Sequence, residues 1–112
     1  MNRVSICLAA AGVALAVFPA VAANLKRGAA IAQANCGPCH AVGRSGPSRN
    51  AAAPPFRTLS ARYPISSLQE ALAEGIMVGH EDVGMPEFNF SVEEVDDLVA
   101  YIDSLSPRKK KR

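Results

Sequence analysis

The chain has 112 residues, which is room for one domain with a modest apolar core. It is 49% hydrophobic but only 5% aromatic, with no Trp, so small side chains dominate and a bulky apolar cofactor would supply the missing core volume. The formal net charge is +2, and nucleic acid is not an expected partner.

Residues 1–22 read as an export signal and not as part of the fold. Arg3 gives a positive start, Val4 to Phe18 is almost wholly apolar, and Pro19 breaks the run. Ala20-Val21-Ala22 then makes a small-x-small cleavage pattern. Cleavage is expected after Ala22, with Ala23 nearly as good. The competing reading is an uncleaved N-terminal anchor, but the apolar run is short for a membrane span. Cys7 lies upstream of the cut, whereas a lipoprotein cysteine would sit at it, so Cys7 is expected to leave with the signal. The expected layout is signal peptide 1–22, folded domain 23–107 and basic tail 108–112.

Asn24 is placed to cap a helix from about Leu25 to Asn35, with Leu25, Gly28, Ala29, Ala32 and Cys36 on one small-residue face. From Ala41 to Pro55 the composition (Gly, Pro, Ser, Arg, Asn) reads as an irregular loop. A short helix follows Pro55 through Phe56 and Leu59. Another starts near Ser67, where Ser67-x-x-Glu70 has the form of a capping box and Gly75 suits the far end. Residues 76–89 are again loop-like. The last helix is the clearest. Ser91 and Glu94 form a second capping box, Val92, Val95, Leu98, Val99, Ile102 and Leu105 make an apolar stripe, and Pro107 ends it. No segment alternates like a strand, so the fold class is all-α.

Charge is distributed unevenly. All ten acidic residues fall between Glu70 and Asp103, after a basic first half and before Arg108-Lys109-Lys110-Lys111-Arg112. The plain reading is a solvated acidic helix face and a solubilising tail.

Removal of Cys7 would leave two cysteines, in Cys36-Gly37-Pro38-Cys39-His40. C-x-x-C-H is the pattern for covalent attachment of one haem c. Two thiols three positions apart can add to the two vinyl groups on one edge of a porphyrin. The residue after the second Cys is then carried beneath the iron, where an imidazole nitrogen serves as the proximal ligand. Three other chemistries share part of the pattern. A thioredoxin-like dithiol needs a βαβ context that is missing. Zinc needs four ligands, and only Cys36, Cys39, His40 and His80 are at hand. A plain disulfide would leave His40 without a role.

For the distal ligand the candidates are Met85, His80 and Met77. Met85 stands in Gly84-Met85-Pro86, where Gly frees the backbone and Pro stiffens it, and it is the expected choice. A soft thioether there favours reduced iron.

With these motifs in place, the chain from about Leu25 to Leu105 resembles the bacterial class I (monohaem) c-type cytochromes. The resemblance implies N- and C-terminal helices that cross, with short helices and loops around one covalently bound haem c. It assigns the thioethers to Cys36 and Cys39, the proximal ligand to His40 and the distal ligand to Met85. Gly28 and Tyr101 look like the family's small-residue and aromatic pair at the helix crossing. The family also orients the proximal His through a Pro carbonyl, for which Pro47, Pro54 and Pro55 are candidates. Two departures stand out. Ala32 replaces a common aromatic on the first helix, and no Trp is present to meet a haem propionate, leaving Arg57, Arg62 or Tyr63 for that role.

The implied function is one-electron transfer in the periplasm, by a monomer that is not an enzyme. Redox partners of the kind expected are a membrane cytochrome complex, an oxidase or a dehydrogenase. Arg44, Arg49 and Arg57 could steer acidic partners, and the basic tail could touch such a partner or a membrane weakly. The alternative is a docked haem-bearing subunit, or a ligand-binding or peroxidatic haem protein with an open distal site.

Overall fold

The computed structural model describes residues 7, 9–17, 22–74 and 88–107. Among these residues are three α-helices: α1 (Leu25–Asn35), α2 (Ser67–Glu74) and α3 (Val92–Ser104). A 3-10 helix, Phe56–Ala61, lies between α1 and α2. Among the described residues there is no strand.

Local chemistry starts the two long helices. Asn24 is extended, and its side-chain oxygen accepts from the Arg27 backbone N–H at 3.0 Å. At α3 both halves of the capping box are made. Ser91 Oγ accepts from the Glu94 N–H at 3.2 Å, and the Glu94 carboxylate accepts from the Ser91 N–H at 2.9 Å. Each such cap contributes about 1 kcal/mol. Ser67 behaves differently from expectation. It is the first residue of α2 and not its cap, because the turn through Pro64 and Ile65 already supplies carbonyls to the amides of Ser67 and Leu68.

Packing then orders the helices. Val95, Leu98, Val99, Ile102 and Leu105 of α3 are buried, together with Ala32, Cys36, Phe56, Leu59 and Ile65. Leu98 and Val95 are the most enclosed, and burial of each is worth about 2 kcal/mol. Two expected core positions are outside it: Val92 is 72% exposed and Leu25 49%. Both stand at the first position of their helix, before the chain has met its partner.

Helices α1 and α3 cross at Gly28. A Cβ built there would lie 2.1 Å from the Asp97 carbonyl oxygen and 2.8 Å from Tyr101 Cβ. Only hydrogen fits, so the expected pairing of Gly28 with Tyr101 is a backbone-to-backbone approach. The Tyr101 hydroxyl donates to the Val42 carbonyl at 2.5 Å, which ties α3 to the loop beyond α1.

Asp97 reinforces the crossing. It was expected on a solvated face but is only 3% exposed. Its Oδ1 accepts from the Asn24 backbone N–H at 2.6 Å, and its Oδ2 accepts from Arg27 Nε. The Asn24 N–H, together with the Arg27 side chain, outweighs burial and holds the carboxyl below its ordinary value.

Two outcomes are expected. Gly28→Ala gains about 1 kcal/mol in helix propensity. The overlap with backbone costs more, so a net loss of about 3 kcal/mol is expected in urea denaturation of the holoprotein. Asp97 should act through pH. Its folded pKa is depressed, so its stabilisation is present above the ordinary carboxylate value of 3.8 and is lost as pH falls through the lower folded value. Asp97→Asn should flatten that acid limb in a pH titration followed by helical circular dichroism.

Candidate functional site

The C-terminal end of α1 delivers the cysteine motif. Cys36 is the helix's C-cap, and its N–H donates to the Ala32 carbonyl at 2.8 Å. The chain then closes on the Cys36 carbonyl, which accepts from the N–H of Cys39 at 3.1 Å and of His40 at 2.8 Å. A Cβ at Gly37 would lie 2.5 Å from the Gln33 carbonyl oxygen, so this tight exit from the helix requires glycine.

The two thiols differ. Cys36 is buried in the core and Cys39 is exposed, and they are not bonded to each other. Burial pushes the Cys36 thiol up to about 11. A dithiol oxidoreductase needs the opposite shift. With no strand among the described residues, the thioredoxin-like reading loses both its chemistry and its fold. Among the described residues, no three His, Cys, Asp or Glu side chains converge as a metal cluster.

His40 is half-buried, and its ring is held on two sides. Nδ1 lies 2.8 Å from the Pro54 carbonyl oxygen. A carbonyl can only accept, so Nδ1 carries a proton and donates it, and in the neutral ring the free lone pair is then on Nε2. The Phe56 ring packs against the imidazole, with centroids 5.0 Å apart and planes inclined at 42°. Of the three candidate prolines, Pro54 is the one that orients His40. Pro47 is exposed, and the Pro55 carbonyl is occupied by the Thr58 N–H at 2.9 Å and the Thr58 hydroxyl at 2.7 Å.

The loop that carries Pro54 has no regular structure but many fixed points. The Asn50 N–H donates to the Cys39 carbonyl at 3.0 Å, and the Phe56 N–H to the Ala41 carbonyl at 2.9 Å. The Ala41 N–H donates to Ser48 Oγ at 2.9 Å. Arg57 Nη1 donates to the Gly46 carbonyl at 2.8 Å, so this guanidinium is engaged with the loop, whereas Arg44 and Arg49 are exposed. At Tyr63, partial burial raises the phenol pKa while neighbouring Arg62 opposes the shift.

These residues fit the implied cofactor. A neutral imidazole with its Nδ1–H given to a carbonyl presents Nε2 as a basic, rigidly aimed ligand. It follows directly on two cysteines carried by one turn. Met85, His80 and Met77 lie outside the described residues. Just before α3, Phe88 and Phe90 stack with centroids 5.4 Å apart. That aromatic pair, Asp97 and the Tyr101–Val42 bond were not anticipated from sequence. Phe-x-Phe ahead of a capping box, and an acid flanked by Val95 and Leu98, were the available signals.

Comparison with known proteins bears on the family. The cytochrome c family model matches residues 25–106. The chain is 37% identical to cytochrome c-552 of Bradyrhizobium diazoefficiens over 102 residues, covering 91% of this chain and 93% of the relative. No solved structure matches it significantly. Members of the family bind haem c covalently, and they are generally electron carriers and not enzymes, working with redox protein partners. The all-α architecture and the family match over residues 25–106 make this chain a bacterial member of the cytochrome c family.

Proposed function

We propose that the protein is an exported, monomeric one-electron carrier and not an enzyme, with Cys36 and Cys39 holding haem c as thioethers, His40 as its proximal ligand and Met85 as its distal ligand. The observation that carries this reading is the His40 Nδ1 to Pro54 carbonyl hydrogen bond at 2.8 Å, which selects the tautomer able to ligate iron through Nε2. When bound, the cofactor supplies a reversible Fe(III)/Fe(II) couple. The chain's own part is to hold that couple still and dry. Pro54 and Phe56 limit rotation of His40, and the cysteines prevent loss of the group. The buried cluster of Phe56, Leu59, Val95, Leu98 and Val99 excludes water from the domain interior. An outer-sphere electron carrier gains from such rigidity, because small ligand movements accompany each change of charge.

Export is supported by the leader's pattern and by Val13, Leu15 and Val17, which are exposed and contribute nothing to the core. Among the described residues, no helix is long and apolar enough to cross a membrane. The periplasm is the compartment this implies, and a membrane cytochrome complex, oxidase or dehydrogenase is the partner class. Exposed Arg44 and Arg49 would steer an acidic partner. Arg57 is a weaker candidate than its sequence position implied, since it binds the Gly46 carbonyl.

Three measurements test this reading. On a denaturing gel, haem stain should stay with the wild-type chain and be lost from Cys36→Ser/Cys39→Ser; a colourless wild-type band sinks covalent attachment. The oxidised protein should show the weak near-infrared sulfur-to-iron band, and Met85→Leu should abolish it; a band that persists in the variant assigns the sulfur elsewhere. Electron-transfer rates with an acidic partner should fall as salt rises from 0.01 to about 0.15 M, where screening shortens from about 30 to about 8 Å. A flat salt profile removes the steering role of Arg44 and Arg49.

A further inference from the structure

Removal of the leader adds a charge that the full-length chain lacks, and the structure places carboxylates where it would appear. Hydrolysis by a signal peptidase adds water across one peptide bond. The leader keeps a carboxylate, and the mature chain starts with an amine that is protonated at neutral pH. The two expected cuts put that ammonium on the nitrogen of Ala23 or of Asn24. Ala22, Ala23 and Asn24 form one wall of a surface cleft at the start of α1. The facing wall on α3 presents Glu93, Asp96, Asp97 and Asp103. Ser66 and Gln69 add uncharged lining, and among the described residues Arg27 of α1 is the one cation there. The floor is already engaged, since the Asn24 backbone nitrogen donates to Asp97 Oδ1 at 2.6 Å.

An ammonium at a helix N-terminus is ordinarily unfavourable, because the first turn carries partial positive charge. Here, among the described residues, the lining holds four carboxylates and one guanidinium, which favours a positive charge. We propose that the α-ammonium created by leader removal is a structural charge of the mature protein, seated in this cleft with Asp97 as its counter-ion. The inference rests on the export reading above. A cut after Ala23 charges the atom that already bonds Asp97. A cut after Ala22 charges the next nitrogen, in the same lining. With the cut after Ala23 the contact changes from a neutral N–H donor on a carboxylate to a hydrogen bond charged at both ends, the stronger class. With the cut after Ala22 the Asn24 N–H keeps its bond and the charge is added beside it. Maturation therefore tightens the α1–α3 crossing that carries the cysteine motif.

The pH consequence has a definite sign. Asp97 at the nitrogen raises the ammonium's pKa, Glu93, Asp96 and Asp103 of the same lining act in the same direction, and Arg27 opposes them. A pKa raised on folding gives stabilisation that is complete below the ordinary α-amino value of about 7.7–8.0 and is lost as pH rises through the higher folded value.

The test uses the exported holoprotein. Its intact mass reports whether and where the leader is cut; a retained leader overturns the export reading. Reductive methylation with 13C-formaldehyde then labels the amine, and NMR titration gives its pKa in the folded and the denatured protein. The folded value should be about one unit higher, a tenfold gain in proton affinity. Equal values in a correctly cut protein overturn this inference alone. A variant with Gly-Ser inserted before Asn24 moves the ammonium about 7 Å further out while keeping the Asn24 N–H on Asp97. Its pKa should return to the denatured value, and a pKa that stays raised overturns the assignment to this cleft.

Discussion

Gly28 lets the backbone of α1 reach the backbone of α3, and most of the domain's geometry follows from that approach. With a Cβ only 2.1 Å from the Asp97 carbonyl oxygen, no other residue could keep the helices at this distance. Close approach sets the crossing, which brings Ala32 and Cys36 into one buried cluster with Leu98, Val99 and Ile102. It also decides where α1 ends in space, and therefore where the turn from Cys36 to His40 stands. Asp97 and Tyr101 act on either side of the contact. One draws Asn24 and Arg27 onto α3, and the other bonds the Val42 carbonyl just past the motif. Such single contacts matter in a small domain whose total stability is about 5–15 kcal/mol.

The histidine's orientation depends on a different kind of restraint. The loop from Ala41 to Pro55 buries no helix and forms no strand. Its backbone groups are nonetheless paired in part with the motif itself: Asn50 to Cys39, Phe56 to Ala41. This makes the Pro54 carbonyl a fixed acceptor for His40 and not a chance neighbour. Long irregular loops in compact domains are commonly functional, and this one positions the proposed iron ligand. Phe56 serves two purposes, since it packs on the imidazole and also opens the 3-10 helix that supplies Leu59 to the core.

The acidic run also divides into separate roles. Glu94 caps its own helix, Asp96 accepts from Gln69 Nε2 of α2, and Asp97 is buried at the crossing. A cluster that looks like one solvated face in sequence therefore contains a local cap, a link between helices and a clamp.

Much of this was legible along the chain. Both long helices have strong local signals: Asn24 and Ser91 accept from their own first turns, and the stripe from Val95 to Leu105 has helical period. The cysteine–histidine motif is contiguous, so its spacing states its chemistry without a fold. Fold class and family were legible for the same reason, because caps, periodicity and motif spacing all act within a few residues. Other features needed the folded chain. The sequence allowed Pro47, Pro54 or Pro55 to orient His40, and the choice fell to Pro54 because the loop is pinned back on Cys39 and Ala41. Burial of Asp97 depended on Arg27 and Asn24, some seventy positions away. Exposure of Leu25 and Val92 reflects where each helix starts relative to its neighbour, which periodicity alone does not encode. Local hydrogen bonding and hydrophobic period are written in adjacent residues. Which carbonyl meets a given imidazole, and which carboxylate loses its water, depend on contacts that exist only once α1 and α3 have met.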